Sequence, residues 1–153
     1  MALKPDRNIV VTDISNICTI AIQKGEVLVF GVSGSGALLN DVASVTRASN
    51  PSGLVPAGVS LANMVSIDIT RQHRNFHNDE QLIGEKLPLL TKGWIVTDKI
   101  ASGATPAVGE TAYLAANGEL TDAQTSGTPK VGQFLGAKDS DGYVKVFIDL
   151  PIV

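Results

Sequence analysis

"AVGETAYLAANGELTDA", residues 107–123, places two short alternating stretches on either side of Asn117-Gly118. Asn-Gly supplies the two positive φ angles of a tight hairpin, so this segment predicts two antiparallel strands. "KVGQFLGAKDSDGYVKVFIDLPIV", residues 130–153, repeats the plan around a turn at residues 139–142. Its last stretch, residues 143–150, carries large side chains on both faces, which indicates a strand that is central or covered on both sides.

Upstream of these hairpins, apolar residues again occur mostly at every second position. "ICTIAI" (17–22) and "EVLVFGV" (26–32) flank a turn at residues 23–25 and predict a hairpin. "VSLANMVSIDIT" (59–70) alternates, which would turn Val65, Ile67 and Ile69 inward. A further strand is expected from Trp94 to Val96, directly after Gly93.

One stretch predicts a helix instead of strands. "ALLNDVASVTRA" (37–48) could form a single helix of two or three turns, although Ser, Thr, Val and Asn are weak helix formers. Four glycines each begin an apolar stretch, at positions where positive φ would turn a corner: Gly25, Gly84, Gly93 and Gly109. The expected fold is mainly β, a small glycine-cornered β-barrel or sandwich built of hairpins, with at most one short helix. Residues 1–16 would form an extended N-terminal arm and residues 17–153 a single β-rich domain.

The composition of the chain argues against several classes of function. The 153 residues have a formal net charge of -3, so no basic footprint for nucleic acid is present. No apolar run approaches the roughly 20 residues that cross a bilayer. Charged residues near the N-terminus replace the apolar core of a signal peptide, which indicates synthesis in a cytoplasm. Cys18 lies among apolar residues and is expected to be a buried hydrophobe.

"RQHRNFHNDE", residues 71–80, holds both histidines and is the stretch that most resembles a catalytic site. In a helix His73 and His77 would share one face, as in two-histidine zinc sites. Arg74 occupies the position where a zincin has Glu, and the arginines place positive charge where a cation would bind. The segment is therefore interpreted as a polar connection that faces a partner. The candidate interface residues are Arg71, His73, Arg74, Phe76 and His77.

Two other patterns are incomplete. "GVSGSGAL" (31–38) has the outer glycines of a phosphate-binding loop, but Ala37 and Leu38 replace its Lys and Ser/Thr. The acidic residues of the C-terminal half could include a carboxylate pair or, at "DSDG" (139–142), part of a calcium loop. Most of these acids stand where turns are expected, and turns are where Asp is common. No catalytic residue, metal ligand or cofactor is assigned.

The C-terminal stretch resembles the capsid decoration, or cement, proteins of tailed bacteriophages. The residues that carry the resemblance are Gly109-Glu110, Gly118-Glu119-Leu120-Thr121, Val131-Gly132 and Gly142-Tyr143-Val144-Lys145-Val146. The preceding "HRNFHNDEQLIGEKLPLLTKGWIVTD" (73–98) is similar to the middle region of podovirus-type virion proteins.

This resemblance implies a non-enzymatic virion protein. It would bind the outer surface of the head, clamp neighbouring major capsid subunits, and act as a homo-oligomer, a trimer in preference to a dimer. The N-terminal arm would add a strand to a neighbour's sheet. Two alternatives stay open: a small metal-dependent hydrolase centred on His73 and His77, and a β-barrel module that binds a cell surface through Trp94, Tyr113 and Tyr143.

Overall fold

The computed structural model describes residues 3–4, 7–31, 43–67, 71 and 73–151. Within these ranges the protein is mainly β, as predicted, with two 3₁₀ turns (Phe76–Asn78 and Ala116–Gly118) and no α-helix. In chain order the strands are β1 Asn8–Asp13, β2 Ile17–Cys18, β3 Val27–Phe30, β4 Ser44–Thr46, β5 Pro56–Ser60, β6 Asn63–Val65, β7 Glu80–Leu82, β8 Leu89–Thr97, β9 Thr111–Leu114, β10 Leu120–Thr121, β11 Lys130–Phe134 and β12 Val144–Asp149.

Ten of these strands form one large mixed sheet. Its order is β10-β9-β11-β12-β8-β5-β3-β4-β2, with β1 added beside β8, while β6 and β7 form a separate parallel pair. The described strands do not close into a barrel, so of the two predicted forms, barrel or sandwich, the barrel is not present in this part of the chain. The two ends of the order, β10 and β2, are two-residue strands that do not pair with each other.

The C-terminal hairpins confirm the local sequence signals. Strands β9 and β10 pair antiparallel with Leu114 opposite Leu120, and both Asn117 (φ 59°) and Gly118 (φ 74°) have positive φ. Strand β12 lies between β11 and β8, so its predicted central position is confirmed. Its outer face is only partly covered, because Phe147 is half-buried there opposite Trp94 of β8.

The predicted hairpin over residues 17–32 is wrong. Strand β2 pairs in parallel with β4, and β3 pairs with β4 and β5. The backbone amides of the intervening turn explain the difference: Lys24 N donates to Asn63 Oδ1 (2.9 Å) and Gly25 N to Ser60 O (2.8 Å). The turn keeps one local hydrogen bond, from Glu26 N to Gln23 O (3.3 Å), but its two inner amides are bound by the distant 60–63 segment.

One further local prediction fails. The expected helix over residues 37–48 is replaced by β4 at Ser44–Thr46, and residues 37–42 lie outside the described ranges.

The alternation predicted for residues 59–70 is present only in part. In this stretch β5 ends at Ser60, and Met64 of β6 is buried while Val65 and Ile67 are half-buried. Ser66 between them is exposed, so the predicted alternation holds from Val65 to Ile67, although neither side chain is fully buried. The third predicted inward residue, Ile69, lies outside the described ranges.

All four glycines have the predicted positive φ, but only Gly25, Gly84 and Gly109 lie at turns. Gly93 does not begin a strand as expected but lies inside β8. A Cβ atom there would overlap the Asn8 carbonyl oxygen of β1. Glycine therefore allows β1 to lie against β8.

The core forms two clusters on opposite sides of the central strands. In β3, Val27 and Val29 belong to the larger cluster and Leu28 to the smaller one. In β8, Leu90 belongs to the larger cluster and Leu89 to the smaller one. Successive side chains of a strand point to opposite faces, so a strand covered on both faces contributes to both clusters. Cys18 is fully buried in the smaller cluster, where burial raises the pKa of its thiol. Its predicted role as a buried apolar residue is confirmed.

The predicted N-terminal arm, residues 1–16, contains β1. This strand lies antiparallel along β8 of the same chain, from Asn8 opposite Trp94 to Asp13 opposite Leu89. Two register irregularities interrupt the pairing at Val11. Among the described strands, β8 is the only partner of β1.

Replacement of Gly132 tests the close packing of β11 on β12. An added Cβ would overlap the Phe147 carbonyl oxygen, so we expect Gly132→Ala to lower the free energy of unfolding by about 1–3 kcal/mol. Gly136→Ala is the matched control, because a Cβ there meets no neighbouring atom and the residue does not have positive φ. Urea denaturation measures both variants, and equal stability would contradict the packing described.

Candidate functional site

The segment that contains both histidines is a connection that leads into β7. Phe76–Asn78 form a 3₁₀ turn, capped by the side chain of Asn75, whose Oδ1 accepts from His77 N (3.0 Å). Asp79 ends the turn in the left-handed region (φ 53°). Because His73 lies outside the turn, the helical i, i+4 spacing of the two histidines does not apply here.

Three ion pairs fix this segment, which we call the 71–80 loop. Arg71 pairs with Glu80 inside the loop, and two longer-range pairs join it to the rest of the protein. Lys24 Nζ lies 3.1 Å from Asp79 Oδ2, and Arg74 Nη1 lies 3.0 Å from Glu85 Oε2. The loop is therefore connected both to the 23–25 turn and to the chain that follows β7.

Glu80 is the buried anchor of the loop. Its Oε2 accepts from Arg71 and from Asn75 N (2.6 Å). The hydrogen bond from Arg71, followed by that from Asn75 N, lowers the pKa of this carboxyl below its ordinary value. A carboxylate that accepts such bonds is held in the charged form.

Asn63 of β6 adds neutral hydrogen bonds to the same loop. Its Nδ2 donates to Asn78 O (2.7 Å) and its backbone N donates to Asp79 O (3.0 Å). The loop backbone is thus tied to a sheet strand as well as by charged side chains.

The outer surface of the loop carries an exposed aromatic ring. Phe76 is 71% exposed, and the guanidinium carbon of Arg74 lies 4.7 Å from its ring centroid, in the range of a cation–π contact. Four of the five predicted interface residues, all but Arg71, follow one another within residues 73–77 on this surface, and both histidines are exposed. Arg71 differs because its side chain pairs with the buried Glu80.

A metal site is not assembled in the described part of the chain. No three His, Cys, Asp or Glu side chains in those residues are placed to hold one ion. Three of the acids in the C-terminal half accept backbone N–H groups, as expected of acids at turns: Asp139 Oδ1 accepts from Tyr143 N (2.8 Å), and Glu110 and Asp122 accept in the same way. The bond from Tyr143 N, the largest cause, lowers the pKa of Asp139.

The glycine-rich stretch and the surface aromatic residues provide weaker candidate sites. Apart from Gly31, the glycine-rich stretch 31–38 lies outside the described residues. Two of the aromatic rings considered for surface binding are partly covered by cations. Lys145 Nζ lies 3.7 Å from the Trp94 ring centroid, and Lys4 Nζ lies 4.3 Å from that of Tyr143.

A wide polar cleft of about 860 Å³ lies beside the loop, and no sequence pattern predicted it. Glu26 is buried in its wall, where Arg47 Nη2 lies 2.8 Å from Glu26 Oε2 and also donates to Ala21 O (3.1 Å). Lys24, which lines the same cleft, carries the ion pair to Asp79. The cleft thus contains part of the framework that holds the 71–80 loop.

No helix in the described parts of the chain has the length and apolar character needed to span a bilayer. The chain matches no protein-family model, and a comparison with curated proteins finds no significant match.

The ion pair of Glu80 predicts a pH dependence of stability. Because the pKa of Glu80 is lowered in the folded protein, its carboxylate stabilises the fold above the ordinary value of 4.5, and this contribution is lost as the pH falls through the lower folded value. We expect Glu80→Gln to unfold more easily than wild type at pH 7. The difference should begin to shrink as the pH falls below about 4.5 and should disappear only once the pH lies below the lowered pKa of Glu80 in the folded protein.

Urea titrations of both proteins across this pH range measure the effect. Glu119→Gln is the matched control, because Glu119 takes part in no ion pair with another described residue. It should unfold like wild type at pH 7. A constant difference between wild type and Glu80→Gln at every pH would show that the charge of Glu80 does not stabilise the fold.

Proposed function

We propose that this chain is a capsid decoration (cement) protein of a tailed bacteriophage. It binds the outer surface of the head and stabilises the contacts between major capsid subunits. The observation that carries the proposal is the exposed Phe76 ring, which lies against Arg74 on a loop fixed by ion pairs.

The composition of this surface supports a role in protein binding. Aromatic residues and Arg are enriched in protein interfaces and dominate their binding energy. Most of the Phe76 ring is exposed, and within the loop it contacts the guanidinium of Arg74. The loop beneath it is held by ion pairs of Glu80, Asp79 and Glu85. A fixed loop loses little conformational freedom when a partner binds, so more of the contact energy appears as affinity.

The resemblance to decoration proteins supplies the identity of the partner. Its residues lie in one region of the fold: Gly109-Glu110 precede β9, Gly118–Thr121 complete the β9–β10 hairpin, and Val131-Gly132 lie in β11. Gly142–Val146 form the turn into β12. These motifs therefore belong to neighbouring strands of one sheet, which is the arrangement that a family defined by such hairpins requires.

The proposal includes the assembly state and location. The chain acts on the outer capsid surface of the virion as a homo-oligomer, a trimer in preference to a dimer, after synthesis in the host cytoplasm. Several copies of one loop in fixed geometry would bind the capsid lattice with an avidity above that of a single site. No cofactor, nucleic acid or membrane is part of the proposed function.

The two alternatives predict different properties. A hydrolase centred on His73 and His77 would purify with about one equivalent of zinc, lost in His73→Ala, and elemental analysis detects it. A cell-surface module would bind glycans through Trp94, Tyr113 or Tyr143, and a glycan array detects that. Head binding without either property favours the decoration protein.

Removal of the Phe76 ring tests the proposal directly. We expect Phe76→Ala to weaken binding to heads assembled from the major capsid protein by about 30-fold, the equivalent of about 2 kcal/mol at an interface hot spot. Co-sedimentation over a range of protein concentrations measures the change. Because the ring is exposed, the thermal unfolding midpoint should not move.

Val108→Ala is the matched control, since Val108 is 74% exposed and lies far from residue 76 in sequence. This variant should bind like wild type. Failure of the wild-type chain to bind such heads, under conditions in which it is folded, would end the proposal.

A further inference from the structure

A second, smaller groove adjoins the 71–80 loop on the side of the N-terminal strand. Its volume is about 400 Å³. Its lining includes the apolar Leu61, Ala62 and Pro88, with Phe76 and two guanidinium groups, those of Arg7 and Arg74. Leu61 and Ala62 are buried, so the groove has an apolar floor beneath a charged rim.

The charges of this rim do not balance. Asp79 and Glu80, the acidic lining residues, are already paired with Lys24 and Arg71 outside the groove. Arg74 is paired with Glu85, whereas no described acidic side chain lies within ion-pair distance of Arg7. Among the described residues, the groove therefore presents one cation, Arg7, without an acidic partner beside apolar surface.

We infer that this groove binds an extended segment of the major capsid subunit that carries a carboxylate next to apolar side chains. The carboxylate pairs with Arg7, and the apolar side chains pack on Leu61, Pro88 and the Phe76 ring. This inference rests on the proposed function and adds to it the chemistry of the partner and a second anchor, Arg7.

The positive charge of Arg7 in the groove favours an acidic segment as the occupant. A basic or neutral segment would leave Arg7 without a counter-ion as the groove closes around it, and an unpaired charge is costly once water is excluded. The protein as a whole is anionic, with a net charge of -3, so attraction of an acidic segment must come from this local cation and not from the overall charge.

Charge reversal at Arg7 tests the inference with the same head-binding measurement. We expect Arg7→Glu to raise the apparent dissociation constant at least about tenfold, and Arg7→Gln to have a smaller effect. The difference between wild type and Arg7→Glu should narrow as salt is added, because salt screens exposed charges. Circular dichroism and thermal unfolding establish that each variant is folded.

Lys138→Glu is the matched control. Lys138 is exposed, has no described ion-pair partner, and its reversal changes the net charge by the same amount. It should bind heads like wild type. Equal losses in Lys138→Glu and Arg7→Glu would mean that overall charge governs binding, which would overturn the inference.

A photo-crosslinking amino acid at position 76 identifies the occupant. The expected product joins this position to a capsid peptide that contains Asp or Glu beside apolar residues. A crosslink to a second copy of this chain, or to a peptide without a carboxylate, overturns the inference. If wild type binds heads and Arg7→Glu binds them equally well, the inference fails while the proposed function survives; if wild type does not bind, both fail.

Discussion

The pairing of β8 with its neighbours is the constraint on which the rest of the fold depends. This strand contacts β12, β5 and β1, and its adjacent residues Leu89 and Leu90 enter the two separate core clusters. It therefore joins the C-terminal hairpins to the N-terminal strands. Gly93 makes this arrangement possible, because any side chain at that position would overlap the backbone of β1. A single residue without a Cβ thus determines whether the N-terminal strand can join the sheet.

The parts of the fold that could be predicted from the sequence are those whose cause is local. Asn117 and Gly118 fix a hairpin because two consecutive positive φ angles belong to those residues themselves. The turn at residues 23–25 looked similar, yet its amides are bound by Ser60 and by Asn63, which is 39 residues from Lys24. The parallel pairs β2–β4 and β6–β7 likewise join segments that alternation alone cannot match. Alternation identifies a strand but not its partner.

In the candidate site, too, features with a local cause could be predicted and features that depend on distant residues could not. The exposed loop and its polar character could be inferred from residues 71–80, because two arginines, two histidines and two acids in ten residues cannot form a buried strand. Its supporting framework could not be inferred. Lys24 and Asp79 are 55 residues apart, and Arg47 and Glu26 are 21 apart, so no spacing rule relates them. The histidine spacing was misleading for a related reason, since it has meaning only in an α-helix and the loop forms a 3₁₀ turn.

The electrostatics of the loop explain how an exposed aromatic residue can be held in a defined position. Exposed ion pairs contribute little stability singly, but here Glu80 is buried, and it binds both the start of the loop, at Arg71, and its middle, at Asn75 N. Closing the segment in this way restricts the backbone that carries Phe76 before any partner arrives. A flexible loop would lose conformational entropy when a partner binds. In this loop the loss occurs on folding instead, where the hydrogen bonds of Glu80 and Asn63 offset it. A loop with this construction favours a rigid contact surface over a site that must close around a small substrate.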